Sequence, residues 1–149
     1  MGLQDIDECI LCRDVAPGER RKSPYWIADL RVSTAFLARN QVCRGYVVLV
    51  YNKSHVTELH HLERDDLIAF MDDLVGVSAA IDRAYRPRKL NYELLGNLVP
   101  HLHWHVIPRR ESDPIDLAQP VLGKDYAEVR LSPEEYAAII AEIRAHAAF

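Results

Sequence analysis

The sequence predicts an α+β protein, with one antiparallel sheet and a long helix and a C-terminal helix packed on it. Three observations carry this. Short β-branched and aromatic runs stand on both sides of a single long helical stretch. Their order along the chain is strands, helix, strands, helix, which suits an antiparallel sheet with segregated helices. No linker, repeat or low-complexity stretch divides the 149 residues, so residues 1–149 read as one domain.

Residues 25–28 and 34–37 read as two short strands, with a turn near Arg31, Val32 and Ser33. Residues 45–51 are the clearest strand, because they are aromatic, β-branched and almost uninterrupted. Such a run is expected at the centre of a sheet, covered on both faces. A long helix follows. Leu67, Phe70, Met71, Leu74, Val77 and Ile81 recur at helical spacing, with Arg64, Asp65, Asp72, Asp73 and Asp82 between them. Glu63, Asp65 and Asp66 suit the positive end of its dipole. Pro87 stops it just after Tyr85 and Arg86.

Residues 89–95 predict a strand, and Gly96-Asn97 a bend. Residues 102–107 predict another strand, closed by Pro108. From about residue 110 a looser stretch with Pro114, Pro120 and Gly123 reads as a C-terminal extension. The last helix opens at Ser132, a plausible N-cap. Pro133 takes the first helical position and Glu135 completes a capping box.

Composition narrows the function. Lys and Arg number 18 against 22 Asp and Glu, for a net charge of -4. There is no basic face of the kind a nucleic-acid binder needs. No apolar run approaches the ~18 residues of a membrane span. Neither nucleic acid nor membrane is an expected partner. Residues 1–7 lack the basic and apolar regions of a signal peptide, and Ile6 stands where a myristoylation motif needs Ser or Thr. A cytoplasmic location is expected. Three cysteines are too few, and odd in number, for a disulfide framework. The close pair Cys9-x-x-Cys12 points instead to metal or redox chemistry, and Cys43 reads as a plain thiol.

The sharpest feature is His101-Leu102-His103-Trp104-His105. On a helix these imidazoles would spread around the axis. On a strand they point to one side, each about 7 Å from the next. Leu102, Trp104 and Val106 would then face the core. Three alternating histidines are a poor choice for packing, since burying imidazole costs desolvation. Three chemistries stay open: metal binding, phosphate binding through N–H donors, and nucleophilic attack by one tuned imidazole.

Residues 90–109, with the pattern His-φ-His-φ-His-φ-φ (φ apolar), resemble the signature of the histidine triad (HIT) superfamily. They are similar to bacterial members described as diadenosine tetraphosphate hydrolase-like. The resemblance extends to Cys9 and Cys12, which match an N-terminal Cys pair. It also takes in residues 48–55, which match a strand ending in Pro-Lys-x-His, with Asn52 in place of the Pro. It covers about residues 9–109.

The resemblance implies a HIT-like sheet and a set of roles. His103 would be the nucleophile on a nucleotide α-phosphate, forming a nucleotidyl-histidine. His105 would contact phosphate oxygens and assist the leaving group. Asn97, where many members carry Gln, would donate a hydrogen bond near the attacked phosphate. Asn91 would reach the same pocket. No Asp stands near residues 36–40 to hold ribose hydroxyls, so Asn40 would serve. Cys9, Cys12, His55 and His101 would hold a structural zinc, a closed set of four ligands with no open position.

The implied activity is hydrolysis of a dinucleoside polyphosphate, nucleoside phosphoramidate or adenylated small molecule. A nucleotidyl transferase or phosphorylase would use the same intermediate. A nucleotide-binding regulatory protein with little turnover is the non-enzymatic alternative. Members are commonly homodimers built on the long helix and an edge strand, and the same is expected here. Trp26 and Trp104 are expected in the core, His60 and His61 as a surface pair, and His146 on an exposed helix face.

Overall fold

A computed structural model describes residues 8–149. Residues 1–7, on which the leader and lipidation readings rest, lie outside the described residues. The architecture is the predicted α+β one. Strands β1 (Trp26–Asp29), β2 (Ser33–Leu37), β3 (Val47–Tyr51), β4 (Lys89–Glu93) and β5 (His103–Arg109) form one sheet in the order β1-β2-β3-β5-β4. Every neighbouring pair is antiparallel. A short helix α1 (Ile10–Asp14) precedes the sheet, long α2 (Arg64–Tyr85) links β3 to β4, and α3 (Pro133–Ala145) ends the chain.

The pleat sorts residues onto two faces. Leu49, Tyr51 and Val106 face the helices, against Phe70 and Ile81 of α2 and Ile139 and Ile143 of α3. Phe70 is fully buried, worth about 1.5–3 kcal/mol of apolar transfer. The other face holds Val48 and Val50, which lie opposite His105 and His103. Glu93 flanks His105 from β4. Cys43, Tyr46, Ile107, Ile115 and Val121 cover one end of that face. The central strand is thus packed on both sides, as its composition predicts.

The ends of α2 follow the sequence. Arg86 takes a left-handed conformation at φ 44°, and its N–H donates to the Asp82 carbonyl at 2.8 Å. The interior of α2 departs from expectation at one place. Asp73, read as a polar spacer, is buried. Its carboxylate accepts from the Arg31 and Val32 N–H groups and the Ser33 hydroxyl, at 3.2, 3.0 and 2.7 Å. It ties α2 to the β1–β2 turn. The capping box at Ser132 and Glu135 forms as predicted.

Every strand differs from the sequence reading by one or two residues at its limits, and β3 begins only at Val47, after Gly45 and Tyr46. β4 ends at Glu93, and β5 runs through Pro108 to Arg109. Proline lacks a donor, yet it fits because pairing with β3 stops at Val106 and only β4 flanks the strand beyond it. The extension after residue 110 is stapled by Arg109, which is fully buried. Its guanidinium meets Asp113 at 3.0 Å, the Asn91 amide oxygen at 2.9 Å and the carbonyls of Ile115, Asp116 and Gln119 at 2.9, 3.1 and 2.7 Å. Among the described residues no helix is long and apolar enough to cross a membrane.

Candidate active site

The three histidines do not share one strand. β5 begins at His103, so His103 and His105 keep the alternation and His101 lies in the bend before it. That corrects the picture of three imidazoles in a row. The bend has a local cause: the His101 N–H donates to the Val99 carbonyl, and the Leu102 N–H to the Val56 carbonyl. These bonds carry His101 beside the segment that follows β3.

There it meets Cys9, Cys12 and His55. One ligand atom from each lies within 4.8 Å of all the others. His101 Nδ1 is 3.6 Å from Cys9 Sγ and 3.3 Å from Cys12 Sγ, and His55 Nδ1 is 3.2 Å from Cys12 Sγ. A tetrahedral zinc with bonds of about 2.3 Å to sulfur and about 2.0 Å to nitrogen sets its ligands roughly 3.3–3.8 Å apart, so the spacing fits. The tautomer fits too. His101 Nε2 bonds the Tyr51 carbonyl at 2.8 Å, which puts the proton on Nε2 and leaves Nδ1 for a metal. Burial pushes the Cys12 thiol up to about 11, with Cys9 adding to the shift. Such a thiol keeps its proton at neutral pH unless a cation displaces it, which zinc does. The four residues therefore fit a closed structural site. Cys43 stands apart, buried, with its thiol pushed up to about 11 by burial and then by Asp113.

His103 and His105 form the second group. His103 Nδ1–H donates to the His101 carbonyl at 2.5 Å, which leaves Nε2 unprotonated. His105 Nε2 lies 3.1 Å from His103 Nε2. One of these nitrogens must supply the proton, and only His105 Nε2 has one to give. His105 Nδ1 is then an acceptor, and it meets the Tyr46 hydroxyl at 2.5 Å. The hydrogen-bond chain thus runs Tyr46, His105, His103, His101 carbonyl. Burial against Val48 and Val50 lowers His103, although its bond to the His101 carbonyl opposes this. Burial lowers His105 to about 4, with His103 adding to the effect. Both rings are neutral at pH 7 without a ligand. Without a ligand, the unprotonated His103 Nε2 accepts from His105 Nε2–H, so a substrate must come between the two rings before either can act on it.

Tyr46, which the sequence reading took only as part of a strand, is brought to the histidine pair by the structure. It is buried, and its hydroxyl is held well above the usual phenol range by burial, then by Tyr126, Glu93 and Cys43. Its position is built locally. Buried Gln41 donates to the Ala38 and Tyr46 carbonyls at 2.7 and 3.0 Å and accepts from the Gly45 N–H at 2.8 Å. Gly45 turns at φ 92°, where a Cβ would sit 2.7 Å from the Tyr85 ring.

The three asparagines stand differently. Asn97 is exposed in the loop after β4, next to Gly96 at φ 75°. Asn91 sits on the histidine face, opposite Ile107, and its amide oxygen accepts from Arg109. Asn40 accepts from the Val42 and Val129 N–H groups at 3.2 and 3.0 Å. The amide oxygens of Asn91 and Asn40 are thus engaged within the protein. His60 and His61 are exposed as expected, their ring centroids 4.4 Å apart. Trp26 and Trp104 are only half-buried, not core residues: Trp104 packs at the rim of the apolar layer, and Trp26 lies under the guanidinium groups of Arg21 and Arg144.

Comparison with known proteins agrees with this geometry. The HIT domain model matches residues 26–112. Adenosine 5'-monophosphoramidase hnt1 of Schizosaccharomyces pombe is 29% identical over 124 residues, covering 78% of this chain and 84% of that protein. A histidine triad protein of Sinorhizobium meliloti superposes with a TM-score of 0.75 at 29% identity, over 85% of this chain and 93% of the other. A zinc-bound histidine triad family protein of Mycobacterium smegmatis shares the fold, with a TM-score of 0.67 at 17% identity over 95% and 94% of the two chains. With five antiparallel strands, its histidine motif at the start of β5 and a domain match over most of its length, this chain belongs to the HIT domain family.

Proposed function

We propose that the protein is a nucleotide hydrolase acting on the α-phosphate of a phosphoramidate, dinucleoside polyphosphate or adenylated small molecule. The observation that carries this is the His103–His105 pair, with His103 Nε2 unprotonated because Nδ1 donates to the His101 carbonyl, and with His105 Nε2–H next to it. The His103 lone pair attacks phosphorus. The bond to the leaving nitrogen or oxygen breaks, and its electron pair leaves with that atom. The departing atom takes a proton from His105 Nε2. The anionic phosphate beside His105 favours its charged form and so supplies the acid at neutral pH. His103 then carries the nucleotide on Nε2 and a positive charge, which the His101 carbonyl stabilises through Nδ1–H. Water next attacks phosphorus and gives its proton to His105 Nε2. The P–N bond breaks back to His103, releasing the nucleoside monophosphate.

Asn97 donates to a phosphate oxygen from its exposed loop, while Asn91 and Asn40 border the nucleotide with their amide N–H groups. Cys9, Cys12, His55 and His101 hold a structural zinc, which when bound anchors the N-terminal segment to the strand of the nucleophile. The thiols of that site suit a reducing compartment, and we place the protein in the cytoplasm. A symmetric homodimer suits the open edge of β4 and the apolar cleft of about 590 Å³ that Met71, Val75, Leu90, Tyr92 and Trp104 line beside it. Light scattering of the purified protein should give twice the mass of one chain. The activity is tested with adenosine 5'-phosphoramidate. Wild-type protein should release AMP and ammonia, and His103→Ala should not. Equal turnover by both would remove the proposal.

A further inference from the structure

His105 has a second nitrogen, and the proposed cycle makes a demand on it. Before substrate binds, Nδ1 accepts from Tyr46. Once His105 is charged, and again after it has given up the Nε2 proton, Nδ1 carries hydrogen and must donate. The Tyr46 oxygen is the group in line to accept. Its own hydroxyl proton must then turn elsewhere.

One buried acceptor near this site has no partner. Glu93 Oε1 is buried without a hydrogen bond. Glu93 is the cross-strand neighbour of His105 on β4, on the histidine face, and its charge acts on the Tyr46 hydroxyl. A buried carboxylate oxygen left unpaired is costly and calls for a cause. The groups around His105 are His103 on its own strand, Glu93 on β4, and Tyr46 before β3, with Cys43 and Tyr126 behind Tyr46. Among the described residues no cation pairs with Glu93. The carboxylate is therefore free to answer a charge that arises on His105.

We propose that Tyr46 and Glu93 are positioning residues for the acid: Tyr46 reverses its hydrogen bond at His105 Nδ1 as the ring charges, and Glu93 receives the turned hydroxyl and balances the charge. This rests on the reading of His105 as the leaving-group acid. Tyr46 stays protonated throughout. The net proton moves from His105 Nε2 to the leaving atom and returns from water.

The test compares adenosine 5'-phosphoramidate, whose nitrogen must be protonated to leave, with the p-nitrophenyl ester of AMP, whose leaving group needs little help. Tyr46→Phe keeps the ring and removes the hydroxyl. It should lower kcat on the phosphoramidate roughly tenfold to a hundredfold, a part of the ~10²–10⁴ that a positioned acid supplies. It should change kcat on the ester, and KM on both, less than about threefold by the same logic. Glu93→Gln should act in the same direction. It should also shift the alkaline limb of the kcat profile to lower pH, since charged His105 loses its counter-charge. Glu93→Asp should restore part of the loss. Equal losses on both substrates, or none, would overturn the proposal. Nitrogen-15 NMR of the histidines in the substrate-free protein separates this from failure of the hydrolase reading. Wild-type His105 should be the Nε2–H tautomer, and Tyr46→Phe should mix the tautomers. An unchanged tautomer would overturn the positioning role even in a protein with no turnover.

Discussion

Two neighbours in one histidine run, His101 and His103, present opposite ring nitrogens. His101 is buried and faces two thiols and the His55 imidazole, with its Nε2 tied to a backbone carbonyl and its Nδ1 turned to the cluster. His103 is also buried, but it ties Nδ1 to a carbonyl and presents Nε2. The same device, a backbone acceptor choosing a tautomer, leaves Nδ1 unprotonated at one position and Nε2 unprotonated two residues later, as the proposed metal and nucleophile roles require. What differs is the backbone. His101 sits in the bend and turns toward the N-terminal segment, while His103 sits on β5 beside Val50. The two sites also meet at one atom, because the His101 carbonyl holds the His103 ring.

The largest test of this division is His103→Ala. Turnover should fall by about 10³ or more, as for loss of a covalent nucleophile, while zinc content by atomic emission stays unchanged. Loss of zinc with the activity would erase the distinction.

The converse experiment removes the metal side. Cys9→Ala and Cys12→Ala should bring the metal content close to zero. If free zinc exceeds its Kd about 1,000-fold, the lost linkage is about 4 kcal/mol, or a fall in Tm of about 8–16 °C for a chain of this size. Scanning calorimetry reads this. An unchanged Tm with unchanged zinc would show that the ligands lie elsewhere.

The pH dependence has opposite signs on the two sides. His103 and His105 are both lowered in the folded chain, His105 to about 4. Between that value and the ordinary 6.5 the unfolded chain binds more protons. Stability is therefore complete above about pH 6.5 and is lost as pH falls toward 4, by on the order of 1–3 kcal/mol. In metal-free protein Cys12 is raised from 9.0 to about 11. Its contribution is complete below pH 9 and is lost as pH rises toward 11. Urea midpoints across both ranges check the signs. A flat profile below about pH 6.5 would contradict the burial of the two neutral rings.

Asn97→Ala should have the smallest effect. A preorganised phosphate donor is worth ~10²–10³. Asn97 is exposed in its loop, so a loss of about tenfold in kcat is expected. A loss as large as that of His103→Ala would give Asn97 a share in the chemistry itself.

Much of this is legible in the sequence because it rests on local pattern. The period of α2, the capping box at Ser132 and the β-branched run of β3 each specify their element within a few residues. The alternation of His103 and His105 specifies a face. His101 is harder, since only the bonds from residues 101 and 102 to Val99 and Val56 lift it off the strand. Tyr46 and Glu93 carry no pattern of their own. They reach His105 through strand register and a loop held by Gln41, which are long-range facts. The segment after residue 110 is silent for the same reason. It is held by Arg109 through carbonyls that any sequence would supply. Asp73 reads as a surface charge because its partners lie far back along the chain, at the β1–β2 turn.

The central claim is that His103 takes the nucleotide. Rapid quenching of the wild-type protein with adenosine 5'-phosphoramidate, followed by peptide mass spectrometry at neutral pH, tests it most directly. One adenylyl group should appear on the peptide that carries His103, at Nε2, and should be absent from His103→Ala. Adenylylation of His105 or His101, or turnover with no adduct at the earliest quench times, would contradict the account.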